Sequence, residues 1–153
     1  MNKQVEHLIG WWKLKGEMET DPFIKFMIFY ICFDAWITAE SGEDKDYNKF
    51  KWFKNNDNCL KTKWNEIETK SLLMGLASMS PIDDMRPNKT RQVKLKDTGN
   101  IGEVINFIYQ IRCNLFHGSK SPMNTMDSSL VDLSGKILEK WIVWSYLKCV
   151  MKK

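Results

Sequence analysis

Arg112 and His117 are the pair of side chains in this sequence best suited to chemistry on a phosphate. A guanidinium is always charged, and its planar fork of donors matches a phosphate, so it can stabilise the charge that builds up on a pentacoordinate phosphorus. An imidazole has an ordinary pKa of about 6.5, close to working pH. Neutral, it takes the proton from a ribose 2′-hydroxyl; charged, it protonates a leaving oxygen. The two together suffice in type to cleave a phosphodiester without a metal. With the 2′-hydroxyl as nucleophile, the products are a 2′,3′-cyclic phosphate and a 5′-hydroxyl, and DNA is left uncut.

The element that must carry this pair is a helix. Apolar residues at Ile101, Val104, Ile108, Ile111 and Leu115 recur every three or four positions, the pattern of a helix with one face in a core. Thr98 or Asn100 can cap it, Glu103 suits its first turn, and Gly118 with Pro122 stops it after His117. At about 100° per residue, Glu103, Asn106, Gln110, Asn114 and His117 form one polar stripe, and Arg112 lies opposite, at the border of the apolar face. A helix face that is merely solvated does not need that set. Five positions correspond to roughly 140° of rotation, so Arg112 and His117 flank a sector into which Tyr109, Cys113 and Phe116 point. Two copies meeting over that sector about a two-fold axis would gather two arginines and two histidines around one cleft. The expectation is a homodimer with Tyr109 and Phe116 in its interface. A histidine at a helix C-terminus also serves as a dipole-stabilised cap, and the residues alone leave that role for His117 open.

Arg112, four intervening residues and His117, followed by Gly-x-Lys, resemble the R-x4-6-H motif of the HEPN superfamily. The run YQIRCNLFHGSKSP, Tyr109 to Pro122, is similar to the form found in many small prokaryotic members. The resemblance implies a metal-independent endoribonuclease of toxin or antiviral-defence type, with RNA as substrate and its site at a dimer interface. It makes Arg112 and His117 the catalytic residues. It also implies that Asn114 orients the phosphate or the imidazole, and that Lys120 adds a second phosphate contact. An antitoxin or a nucleotidyltransferase-type protein would then be a possible partner. The chain departs from the pattern at Cys113, where a polar residue often follows the arginine; here the asparagine comes one place later. That departure favours a second reading, a non-catalytic HEPN module that binds RNA or nucleotide or is the helical partner of a nucleotidyltransferase. The intact Arg112 and His117 favour the first.

The remaining chain reads as an all-α, single-domain bundle of about five to six helices over residues 1–153, HEPN-like by the resemblance. With 43% hydrophobic and 27% charged residues it has the composition of a globular rather than a disordered chain. The net charge of +4 permits phosphate binding without requiring it. Cys32, Cys59, Cys113 and Cys149 form no CxxC pair and have no metal-type spacing with His7 or His117. They read as free thiols of a reducing compartment, with no metal and no cofactor implied. The N-terminus MNKQVEHLIGWWK has no signal-peptide pattern. Phe23 to Ile37, interrupted by Lys25 and Asp34, falls short of the ~20 residues of a membrane span, so a cytoplasmic protein without a membrane contact is expected. Seven Trp and eight Phe exceed what such a core requires and leave aromatic surface for a partner.

Along the chain, Val5, Leu8, Ile9 and Trp12 predict a first helix ending near Gly16. Asp21 and Pro22 start the central helix, PFIKFMIFYICFDAWITAE, apolar on nearly all sides. Its Asp34 either pairs with Arg112 or faces solvent. Tyr47, Phe50, Trp52 and Phe53 fit a short helix, and residues 59–79 a further one. Leu130 to Val150 form the last, capped by Asp127, Ser128 and Ser129. Ser80 to Asn100 lacks apolar periodicity and carries Arg86, Lys89, Arg91, Lys94 and Lys96. It reads as a mobile basic loop at about 80–100, able to hold a nucleic-acid backbone or simply solvated. Within it, Gln92 to Lys96 alternates like a strand without an evident partner.

Overall fold

The computed structural model describes residues 3–56, 66–117 and 123–151, with the side chains of residue 67 and of residues 142–151 outside that description. Among the described residues six helices occur: α1 (Lys3–Met18), α2 (Pro22–Ser41), α3 (Asp46–Asn55), α4 (Ile67–Ser78), α5 (Ile101–Phe116) and α6 (Thr125–Met151). Between α4 and α5 lie two short strands, β1 (Ile82–Asp83) and β2 (Gln92–Val93). The bundle is all-α apart from that ribbon.

Local chemistry explains the helix ends. Asp21 accepts from the N–H groups of Phe23 and Ile24 at 2.8 and 3.0 Å, and Pro22 opens α2 where no donor is needed. Gly42 closes it in the left-handed region, φ 69°, a conformation that costs a glycine little, and donates its N–H to the carbonyl of Thr38 at 2.9 Å. Asn100, one of the two cap candidates, accepts from the Glu103 N–H at 3.2 Å and starts α5. For α6 the cap differs from expectation. Asn124, rather than Asp127, accepts the first free N–H, that of Asp127, at 3.0 Å, so the helix begins at Thr125.

The core forms around α2, which packs on α1, α3 and α6. Phe26, Phe29 and Phe33 of α2 are fully buried, and Phe33 meets Phe53 of α3 and Trp141 of α6 with ring centroids 5.5 and 5.8 Å apart. Each such side chain contributes roughly 1.5–3 kcal/mol on burial, and the tilted and edge-on ring geometries add to it. Burial pushes the Cys32 thiol, on the same helix, up to about 12, so it behaves as a small apolar group. Cys32 and Cys113 are free and buried; Cys59 lies outside the described residues. Helix α2 is 20 residues long with a mean hydropathy of 1.4 in its most apolar window, long and apolar enough to cross a membrane by those measures alone. The helix ends one residue beyond the stretch read from the sequence, and it outruns the apolar run Phe23 to Ile37 because Pro22 and the mixed residues Thr38–Ser41 are also helical.

Helix α1 meets α2 closely at Gly16, where an added Cβ would sit 2.9 Å from two ring carbons of Phe29 and 3.1 Å from Ile28 Cγ2. Because the Phe29 ring is buried on every side, overpacking should outweigh the better helix propensity of alanine. Gly16→Ala is expected to cost about 1–2 kcal/mol, read as a fall in melting temperature of roughly 3–6 °C. The outward face of α1 carries Leu8, Trp11, Leu14 and Met18, all exposed, so part of the aromatic and apolar excess is on the surface.

The segment between α4 and α5 corrects the expectation of a strand without a partner. Ile82 pairs with Val93 and Asp83 with Gln92 in an antiparallel ribbon, and Ile82 and Leu95 are buried beneath it. Asp84, 3% exposed, is its hub. Its carboxylate accepts from Arg86 Nε and Nη2 at 2.8 and 2.7 Å and from Arg91 Nε at 2.9 Å. Of the five cations in this basic segment, two are therefore engaged within it.

Candidate functional site

Helix α5 brings two different surfaces to the motif. The polar stripe is the first, and most of it is covered by the ribbon. Glu103 Oε2 accepts the N–H groups of Lys96 and Asp97, both at 3.0 Å. Gln110, 1% exposed, donates from Nε2 to Asp84 Oδ1 at 3.0 Å and to Asn114 Oδ1 at 2.8 Å. Asn114, also 1% exposed, accepts the Met85 N–H at 3.0 Å and donates to the Asp83 carbonyl at 2.7 Å. A buried amide needs such partners, and the ribbon's open backbone groups need the amide. The stripe is thus an attachment site for residues 82–97. Asn114, expected to orient the phosphate or the imidazole, anchors the ribbon; only Asn106 and His117 of the five stay exposed.

Arg112 belongs to the second surface. Its guanidinium carbon lies 5.5 Å from the ring centroid of Tyr30 on α2 and 4.6 Å from that of Phe116, one turn further along α5. Stacking uses the faces of the guanidinium and leaves its edge for hydrogen bonds. The buried Nε has no hydrogen-bond partner among the described residues. Arg112 lines a cavity of about 250 Å³ with Met27, Tyr30, Asp34, Asp46 and Phe116. Asp34 does not take Arg112 as its partner: buried Lys49 of α3 lies 2.9 Å from Asp34 and 3.8 Å from Asp46. Lys49 therefore holds the two acids, and Arg112 keeps no salt bridge among the described residues. The Tyr30 hydroxyl is pushed far above the ordinary tyrosine value, first by burial and further by Asp46 and Asp34, with Arg112 opposing. It stays a neutral donor at any working pH.

The other expected site residues divide in the same way. Tyr109 is half-buried, its ring edge-on to Phe50 of α3 at 5.2 Å. Burial, then a hydrogen bond with Cys113, raises its hydroxyl above the ordinary value. Much of its expected contact with a second copy is taken by α3. Phe116 is 57% exposed beside Arg112 and remains open to such a contact. His117 is the exposed residue that ends α5, its N–H bonded to the Cys113 carbonyl at 3.1 Å. Gly118 and Lys120 lie outside the described residues. No group of three metal-ligating side chains occurs among the described residues.

Two features were missed from the sequence. Tyr30 looks like one more core aromatic of a uniformly apolar helix, and nothing in its spacing marks it as the stacking partner of Arg112. Lys49 sits in a polar connection typical of a solvated surface, yet is buried. In comparisons with known proteins, no protein-family model, no curated protein and no solved structure matches this chain.

Proposed function

We propose that this chain is a metal-independent endoribonuclease of HEPN type, cleaving RNA through the ribose 2′-hydroxyl at a site formed where two copies meet at the C-terminal end of α5. The observation that carries the reading is the state of Arg112: a cation over the rings of Tyr30 and Phe116, free of any salt bridge among the described residues, at the wall of a cavity. Such a group is preorganised for an anion, since its position is fixed before the anion arrives and the two carboxylates on the same cavity wall, Asp34 and Asp46, are held by Lys49. His117 supplies a base or acid from the exposed end of the same helix. Phe116 stands beside Arg112 and is the natural first contact of a second copy, which would add the opposing Arg112 and His117.

The test is incubation of the purified chain with mixed RNA in excess chelator, with product ends mapped and the sedimentation coefficient measured in parallel. Cyclic phosphate and 5′-hydroxyl ends, produced by a dimer and absent when the scissile nucleotide is 2′-deoxy, are expected. Cleavage that needs added magnesium, or that cuts the deoxy substrate, overturns the mechanism. One observation favours a second reading, a non-catalytic RNA-binding module: Asn114, the polar residue of the motif, is committed to the ribbon. Under that reading the wild-type protein binds RNA in chelator and leaves it whole.

A further inference from the structure

Where α3 lies against α5, three cavities follow one another. The first, about 560 Å³, runs between the end of α3 and the start of α5. The second, about 490 Å³, is bounded by α3, β2 and α5, and the two share Tyr47, Phe50 and Asn106. The second meets the cavity at Arg112 through Asp46, which lines both. The first two therefore form one groove along α3 and α5, and Asp46 marks where it borders the cavity at Arg112.

Its charge is uneven. Lys51 and Lys54 line the first part, Arg91 and Lys94 the second, and the acids are Asp46 and Glu103. Both acids are already occupied, Asp46 by Lys49 at 3.8 Å and Glu103 by two backbone N–H groups at 3.0 Å. Arg91 uses Nε on Asp84 but its side chain is 62% exposed, which leaves its terminal nitrogens for another anion. Lys54 lies along the start of α5, where a Cβ at Gly102 would be 3.0 Å from its Cδ. At the junction of the two larger cavities stands Tyr47, 76% exposed. Rows of cations with an exposed aromatic ring between them suit a strand that offers phosphates and unpaired bases together. A duplex hides its bases and gives Tyr47 nothing to stack on. An acidic peptide would match the cations but has no need of the ring.

We propose that this groove binds single-stranded RNA, with phosphates on Lys51, Lys54, Lys94 and Arg91 and one base stacked on Tyr47, and leads the strand to Arg112. The last clause rests on the ribonuclease reading; the binding does not. Helix α3, ten residues long, spans about 15 Å, room for roughly four stacked nucleotides.

The experiment is fluorescence anisotropy of the full chain with a labelled, cleavage-resistant 2′-O-methyl oligouridine, as single strand and as duplex, over a salt series. The double variant Lys51→Glu with Lys54→Glu is compared with Lys3→Glu with Lys70→Glu, two exposed cations away from the groove that give the same change in net charge. The groove variant is expected to bind the single strand at least tenfold more weakly, with the slope of log affinity against log salt reduced by about 1.4. The control pair should change affinity less than threefold, and Tyr47→Ala should lose about tenfold without altering the slope. Equal weakening by both charge pairs, tighter binding of the duplex, or binding of an acidic peptide in place of the oligonucleotide overturns the proposal. Groove-dependent binding of the 2′-O-methyl strand, with an unmodified oligouridine of the same length left whole by the same protein in chelator, would instead remove the ribonuclease reading and leave the groove standing.

Discussion

Arg112→Lys should lower the rate of RNA cleavage in chelator by at least about a hundredfold, although it conserves the charge. An ammonium is a point charge with three donors on a flexible stem, whereas the guanidinium offers a flat fork and two faces. Here the guanidinium lies over the rings of Tyr30 and Phe116, its carbon 5.5 and 4.6 Å from their centroids, and those contacts hold it in place. Lysine loses the stacking and the paired donors together, so charge without position remains. Arg112→Ala should cost about a thousandfold, and His117→Ala a similar factor through loss of proton transfer, typically about a hundredfold to ten-thousandfold. The measurement is the single-turnover rate on a labelled oligoribonucleotide, with thermal melting of each variant alongside. Melting separates two effects of Arg112, because its removal also strips contacts from Tyr30 in the core. His117 is exposed and makes no such contribution, so a variant there that melts like wild type and still fails to cleave isolates the chemistry. Full activity in Arg112→Lys would show that any cation at that place suffices and that stacking is irrelevant.

Asp84→Asn should be among the more damaging polar changes to stability in the described structure. The carboxylate accepts five hydrogen bonds: two from the Arg86 side chain, one from its N–H at 3.3 Å, one from Arg91 and one from Gln110. The Arg86 guanidinium first, then Arg91, the Arg86 N–H and Gln110, hold its carboxyl well below the ordinary aspartate range, against the opposing effect of burial. The amide keeps the shape but turns an N–H₂ group towards guanidinium donors, so the buried position loses its charge and the partly exposed Arg86 loses its partner. Because the cations left behind reach solvent, the cost is expected at about 2–3 kcal/mol, below the roughly 3–5 of a fully buried pair, equivalent to a fall in melting temperature of roughly 6–9 °C. The sign with pH follows from the depressed value. A carboxyl ionised more easily folded than unfolded stabilises the fold at pH above its unfolded value of about 3.9, and that contribution is lost as pH falls towards the folded value. Wild-type stability should therefore drop more steeply than that of Asp84→Asn below pH 4. Urea unfolding at several pH values reads both quantities, and parallel curves would mean that the cluster carries no net stabilisation.

Much of the helical framework was legible because its causes are local. The cap at Asp21, Pro22 in the first turn, and Asn100 before α5 each act within three residues, and apolar spacing of three and four reports the buried face of a single helix. The ribbon was not legible. Gln92 to Lys96 alternates like a strand, but its partner, Ile82–Asp83, is two residues long and lies eight residues away across a segment rich in charge, so no hairpin signal links the two. Asp84 was hidden among them, since a carboxylate between arginines reads as surface until its burial is known.

What the sequence alone determined is the helical class, the termini of α2 and α5, and the presence of Arg112 and His117 on one helix with Phe116 between them. Those depend on interactions reaching one turn along the chain, which residue types and spacing encode directly. Only the tertiary structure decided what each face of α5 meets. It turned the polar stripe from an open surface into the seat of residues 82–97, with Gln110 and Asn114 buried. It gave Asp34 to Lys49 and set Arg112 against Tyr30. A helix presents the same side chains whether water, another chain or its own ribbon lies opposite. The choice among these is made by packing between segments far apart in sequence, and periodicity within one helix carries no information about it.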